Sequence, residues 1–136
     1  MAKKIKKIDL VETIVCTHIE KHNNGTFSLL GTYPKDIALL TLPGNLSIAL
    51  WLNFNAQLSE PLNMEIKLSS KKVLADDIII PLEIDDPNAA QSMISIPLVI
   101  KNIALDIQSP GELNIHYKAA KERWKLARSL NIEHSR

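Results

Sequence analysis

The longest patterned stretch of the chain runs from Met93 to Tyr117. From Ile94 the apolar residues fall on alternate positions, Ile94, Ile96, Leu98 and Ile100, with Ser95, Pro97, Val99 and Lys101 between them. A period of two is that of a strand whose faces differ. After Asn102 the apolar set moves to Ile103, Leu105 and Ile107, so the alternation slips by one residue where the strand bulges, bends or changes sheet. Ser109-Pro110-Gly111 is a turn, because proline presets φ and glycine supplies a positive φ; Leu113, Ile115 and Tyr117 then resume the period.

The same device recurs along the chain. Leu10 to Ile19 is rich in β-branched residues, and Asn23-Asn24-Gly25 marks a hairpin whose return strand is Thr26 to Tyr33, with Gly31 at a bulge or close backbone approach. Ile37 to Leu42 fits either a short edge strand or a helical turn, and Leu42-Pro43-Gly44-Asn45 is a turn. In Leu46 to Phe54 the residues Ile48, Leu50, Leu52 and Phe54 share one face, and Ser47, Ala49, Trp51 and Asn53 the other. Met64, Ile66 and Leu68 alternate with Glu65, Lys67 and Ser69, and Lys71-Lys72 is a solvated turn. Asp77 to Ile84 aligns Ile78, Ile80, Leu82 and Ile84, with Pro81 indicating an edge strand or a bulge.

Lys118 to Leu130 is the ambiguous segment. It consists almost wholly of good helix formers, yet Trp124, Leu126, Leu130 and Ile132 are all even-numbered and fit one strand face, with Arg128 as the exception. The alternation favours a hairpin turning at Ala119 to Glu122. The whole pattern predicts an all-β chain: a single antiparallel β-sandwich of immunoglobulin-like or C2-like type, with seven to nine strands. The expected core comprises Ile48, Leu50, Leu52, Met64, Ile66, Leu68, Ile80, Leu82, Ile96, Leu98, Ile100, Leu113 and Ile115. Trp124 is expected to join it, whereas Trp51 points outward.

The 136 residues suit one domain, expected over residues 9–133 between a flexible basic tail at 1–8 and a disordered end at 134–136. Aromatic residues are only 4%, so the core must be aliphatic, and the net charge of +1 leaves electrostatic attraction to local patches. Cys16 is the sole cysteine, which excludes an internal disulfide and favours a reducing, cytoplasmic setting. The basic start lacks the apolar run of an export signal, and no apolar stretch reaches the ~20 residues of a membrane helix. The sequons at Asn24 and Asn45 read as turns.

The hairpin ending in NGTFSLLGTYPKDI, the strands LSIALWL and MEIKL, and the closing pair SIPLVIKNIALDIQSPGELNIHY resemble a family of small bacterial β-sandwich proteins classed only as a domain of unknown function. The resemblance covers roughly residues 8 to 133. It implies one sandwich domain with a final hairpin and no catalytic residues to carry over. The turn Ala119-Ala120-Lys121-Glu122 departs from it, where glycine or aspartate is expected.

No phosphate-binding glycine loop, nucleophile elbow or metal-ligand spacing occurs, so no enzyme activity, cofactor or metal is expected. His18 and His116 lie in strands and could meet only across a sheet; satisfied or solvent-facing rings are the simpler reading. Asp76-Asp77 and Asp85-Asp86 invite calcium, but they flank one strand and stand on the order of 25 Å apart. Lys118, Lys121, Arg123, Lys125 and Arg128 surround Trp124 and form a candidate polyanion site, to which the N-terminal lysines add. Charged edge strands that block pairing are the plainer alternative. Trp51, with Ala49 and Asn53 beside it, is a candidate interface, because an outward tryptophan needs a cover that a twofold dimer can supply. Two functions follow: a non-enzymatic module acting by protein contact, with self-association into a homodimer as one form, or a binder of nucleic acid or another polyanion.

Overall fold

In a computed structural model that describes residues 4–135, nine strands form two sheets, with no helix among the described residues. They are β1 (Lys6–Lys21), β2 (Phe27–Thr32), β3 (Asp36–Leu39), β4 (Gly44–Leu58), β5 (Leu62–Ser69), β6 (Ile78–Ile84), β7 (Ile94–Ile107), β8 (Gly111–Ala119) and β9 (Lys125–His134). The four-stranded sheet has the order β2-β1-β4-β7, and the five-stranded sheet the order β3-β9-β8-β5-β6. Every pairing is antiparallel except β3 with β9, where Asp36 to Leu39 run parallel to Asn131 to His134. Of the segment that fits either a strand or a helical turn, Ile37 to Leu39 are a parallel edge strand, and residues 40–42 are bends outside any strand.

One continuous aliphatic core lies between the sheets. Leu50, Leu52 and Phe54 of β4 meet Met64, Ile66 and Leu68 of β5 and Leu113 and Ile115 of β8, all buried. All thirteen expected core residues belong to it, but Ile80, Leu82, Ile96, Leu98 and Ile100 are only partly buried. These five lie on β6 and β7, which are edge strands of their sheets and carry Pro81 and Pro97, where a missing N–H costs no ladder bond.

Three bulges set which side chains face inward. Val11 is an extra residue between the pairs Leu10–Phe54 and Glu12–Asn53, and it is exposed. In β7 the register shifts where the alternation slips: Ile103 pairs with Ile48 but Ile100 with Leu50, and Asn102 takes a φ of 56°. β7 and β8 then belong to different sheets, so the turn at Ser109-Pro110-Gly111 passes from one sheet to the other instead of closing a hairpin. In β9 Ala127 is the extra residue, since Arg128 pairs with Ile115 and Leu126 with His116.

Lys118 to Leu130 is a hairpin, as the alternation predicts. Ala120 replaces the expected glycine by adopting a φ of 41°, and its N–H donates to Asn63 O at 2.8 Å, so contact with β5 holds the turn. The ends differ from expectation. Lys6, Lys7 and Ile8 pair with Leu58, Gln57 and Ala56, so they are strand and not tail, while residues 1–3 lie outside the described residues. At the other end His134 closes β9 and Ser135 N–H donates to Leu39 O, with residue 136 outside the description.

The acidic pairs beside β6 include a structural anchor. The Asp86 carboxylate accepts from Leu58 N at 2.9 Å, Asn88 N at 2.8 Å and Ala90 N at 3.3 Å, tying the loop after β6 to the end of β4. The Leu58 N–H above all, with Asn88 and Ala90, holds its pKa below the usual carboxylate value despite burial. Among the described residues no three His, Cys, Asp or Glu side chains gather as a metal site, and no helix is long and apolar enough to cross a membrane.

Candidate functional site

Alternation places Trp51 on the outer face of the four-stranded sheet, opposite the core side of Leu50 and Leu52, and there the structure covers it from within. The last pair between β1 and β4 is Cys16 with Ala49; beyond it β1 pairs with β2 alone. From Ile14, opposite Trp51, to Lys21, opposite Phe27, a straight strand would run ~23 Å. The rings of Phe27 and Trp51 nevertheless stand edge to face with centroids 5.1 Å apart. The β1–β2 hairpin therefore bends back over the outer face, and Cys16, Ile19, Ala49, Phe27, Leu29, Trp51 and Val99 make a second small apolar cluster.

The bend passes Gly31, whose φ is +64° and where a Cβ would meet Thr17 Oγ1 at 2.4 Å. Of the two readings of that glycine the structure bears out the close approach, here to the Thr17 side chain; the β1–β2 register runs past it unbroken, so it is not a bulge. Of the candidate interface residues, Ala49 is buried, Asn53 Oδ1 accepts from Ser95 Oγ at 2.8 Å, and Trp51 is half-buried. Within the chain β2 and β7, neither of which is a spare segment, supply a cover for Trp51 that needs no second copy. Cys16 lies in the same cluster, and burial pushes its thiol pKa up, which is the state of an inert thiol.

Trp124 has a different setting, and its expected place in the core is corrected. The bulge at Ala127 turns Leu130 and Ile132 inward but leaves Trp124 and Leu126 on the outer face of the five-stranded sheet, Leu126 being 57% exposed. There the Lys67 ammonium lies 4.5 Å from the Trp124 ring centroid and that of Lys118 4.9 Å. Lys118 also pairs with Glu65 at 3.6 Å. Across the face one row reads Ile79, Lys67, His116, Leu126, with Ile79 52% exposed. His116 Nδ1 is buried without a hydrogen-bond partner. His18 belongs to the other sheet, beside Glu20 at 3.6 Å, so the two histidines do not meet.

Trp124 is half-buried, and two ammonium groups lie against its ring. An exposed cation–π contact is worth about 0.5–1 kcal/mol. A base stacked on an aromatic side chain is worth about 1–3 kcal/mol, so the lysines are a displaceable cover. Phe27 over Trp51, anchored in a buried cluster, is not.

The structure brings most of the basic candidates to one end of the molecule. Lys121, Arg123 and Lys125 are exposed on or next to the β8–β9 turn. Lys6 Nζ reaches Glu122 Oε1 at 3.3 Å, and Ile5 exchanges hydrogen bonds with Ser59, which fixes the basic start of the chain beside this turn. Lys4 pairs with Glu60 at 3.4 Å. Lys125 stands opposite Tyr117, which packs on Phe54 of the core, so it leaves β9 on the side away from Trp124.

Arg128 is excluded from the basic group by its bonds. Its guanidinium reaches across the core, donating to Thr13 O at 2.7 Å, Tyr33 O at 3.2 Å and Pro34 O. It clasps β9 to β1 and to the link between β2 and β3. Its place as the one charged residue on an apolar face is the signal that the sequence carries of this role. Lys67 and His116 have no such signal as neighbours of Trp124; each stands on an outward position of its strand, but only the order β9-β8-β5 makes them one surface.

No family model matches the chain, and no curated protein matches it.

Proposed function

We propose that this chain is a non-enzymatic binding module that holds a polyanion at its basic end, around Lys6, Lys121, Arg123, Lys67 and Lys118. One observation carries the reading: the ion pair of Lys6 with Glu122 cancels the one carboxylate of the β8–β9 turn and sets the basic start of the chain beside Lys121 and Arg123. Such convergence concentrates positive potential on a chain whose net charge is only +1. The same reading takes the two sheets as a sandwich of immunoglobulin-like or C2-like type, on their four and five strands and nearly uniform antiparallel pairing, and takes the setting as cytoplasmic, on the single buried cysteine.

The test is retention on heparin as salt is raised. The wild type is expected to bind at low ionic strength and to elute as salt rises, with Lys121→Glu/Arg123→Glu lowering the salt slope by about 1 per phosphate-type contact removed. Stability should change by no more than about 0.5 kcal/mol. A wild type that flows through at low salt removes the proposal.

A specific observation supports protein contact as the second reading. Ile78, Ile80 and Leu82 on β6, with Ile96, Leu98 and Ile100 on β7, leave the core partly open between two edge strands. Apolar edges of this kind favour partner strands. Sedimentation decides whether the partner is a second copy: a 15.2 kDa species at every concentration, unchanged by Ile79→Glu, excludes self-association through β6.

A further inference from the structure

We infer that the outer face of the five-stranded sheet around Trp124 is a stacking platform for a base of single-stranded nucleic acid, with Lys67 and Lys118 taking the phosphates on either side. The inference rests on the polyanion reading and names the ligand class. A simple polyanion site needs only ammonium groups. This one sets them over the face of an indole, 4.5 and 4.9 Å from its centroid, beside an exposed Leu126 and the ring of His116.

The geometry favours an exchange. A base that slides onto Trp124 displaces weak cation–π contacts for a stronger stack, and the freed ammonium groups stay within a side chain's reach of the adjoining backbone. A duplex keeps both faces of each base occupied and offers nothing to the indole, so the platform selects unstacked strands. An acidic peptide satisfies the lysines but leaves Trp124 and Leu126 without a flat partner. Asn114, whose Oδ1 accepts from Ser129 Oγ at 2.7 Å, extends the face with neutral polar groups that suit base edges, and the carboxylate of Glu65 on the same face is paired with Lys118 at 3.6 Å.

The experiment uses the full chain carrying Trp51→Phe, so that Trp124 is the sole indole, with an oligothymidylate of about eight nucleotides, a duplex of equal length, heparin and polyglutamate as probes. Oligothymidylate is expected to quench the Trp124 emission and to bind more tightly than the duplex. In the wild-type background Trp124→Ala should weaken oligothymidylate binding about tenfold with an unchanged salt slope, and leave heparin binding alone. Trp124→Tyr should restore most of the loss, because it keeps a stacking ring. If Trp51→Phe perturbs folding, anisotropy of labelled oligothymidylate on the wild type, Trp124→Ala and Trp124→Tyr answers the same question. Equal binding of all polyanions with no dependence on residue 124 overturns the stacking inference and spares the polyanion reading. Preference for polyglutamate that depends on Trp124 overturns it in favour of an acidic protein partner. Failure of every probe to bind removes both.

Discussion

Trp51 and Trp124 stand in matching places, each on the outer face of one sheet, and the chain covers them by opposite means. Over Trp51 it folds an entire hairpin, bringing the Phe27 ring to 5.1 Å and enclosing Ile19 and Cys16. Over Trp124 it lays two lysine side chains. Apolar atoms committed to a buried cluster do not leave without cost, whereas an ammonium group on a flexible stem has water as an alternative. An outward tryptophan is therefore a sign of function only when its cover can be displaced: the first belongs to the architecture, and the second is the one on which the proposed stacking rests.

The same substitution at both positions is the most direct way to break this comparison. Trp51→Glu should cost about 4 kcal/mol in a urea melt, since it removes a packed ring and puts a carboxylate among Ile19, Leu29 and Val99. A folded, stable variant would mean that the hairpin does not close over residue 51. Arg128→Ala comes next, at about 2–3 kcal/mol, because it leaves carbonyls of Thr13, Tyr33 and Pro34 without their charged donor. It sharpens the contrast among the cations, for Lys118→Ala on the ring should scarcely move the melt. The smallest effect is that of Trp124→Glu, expected to lie within about 1 kcal/mol of the wild type, as the new carboxylate faces Lys67 and Lys118. A loss as large as that at Trp51 would show that Trp124 is structural.

What the chain reveals before folding is its local periodicity. Leu46 to Phe54 and Met64 to Leu68 alternate cleanly, the slip at Asn102 is a real bulge, and Pro81 does mark an edge. The failures arise where a register choice depends on a distant strand. One extra residue at Ala127 sends Trp124 outward although its parity matches the buried Leu130 and Ile132. The cover of Trp51 depends on a bend at Thr17 and Gly31 whose target lies across the sheet, and periodicity carries no record of bending. The candidate site is half legible for the same reason: the basic cluster is written in one segment, but its junction with Lys6 and Lys67 is a product of strand order.

The parallel pairing of β3 with β9 has a consequence for how the protein is born. A ribosome delivers β3 early and β9 after every other described strand, yet among those strands Asp36 to Leu39 have no ladder partner except Asn131 to His134. Arg128, which ties the first strand and the β2–β3 link into place, arrives with the same late segment. The emerging chain thus holds Ile37, destined to be 1% exposed, as an unpaired apolar edge while β4 to β8 are still being made. Long-range closure of this sort is slow, and it leaves the nascent form open to aggregation until β9 clears the exit tunnel and lets both sheets close together.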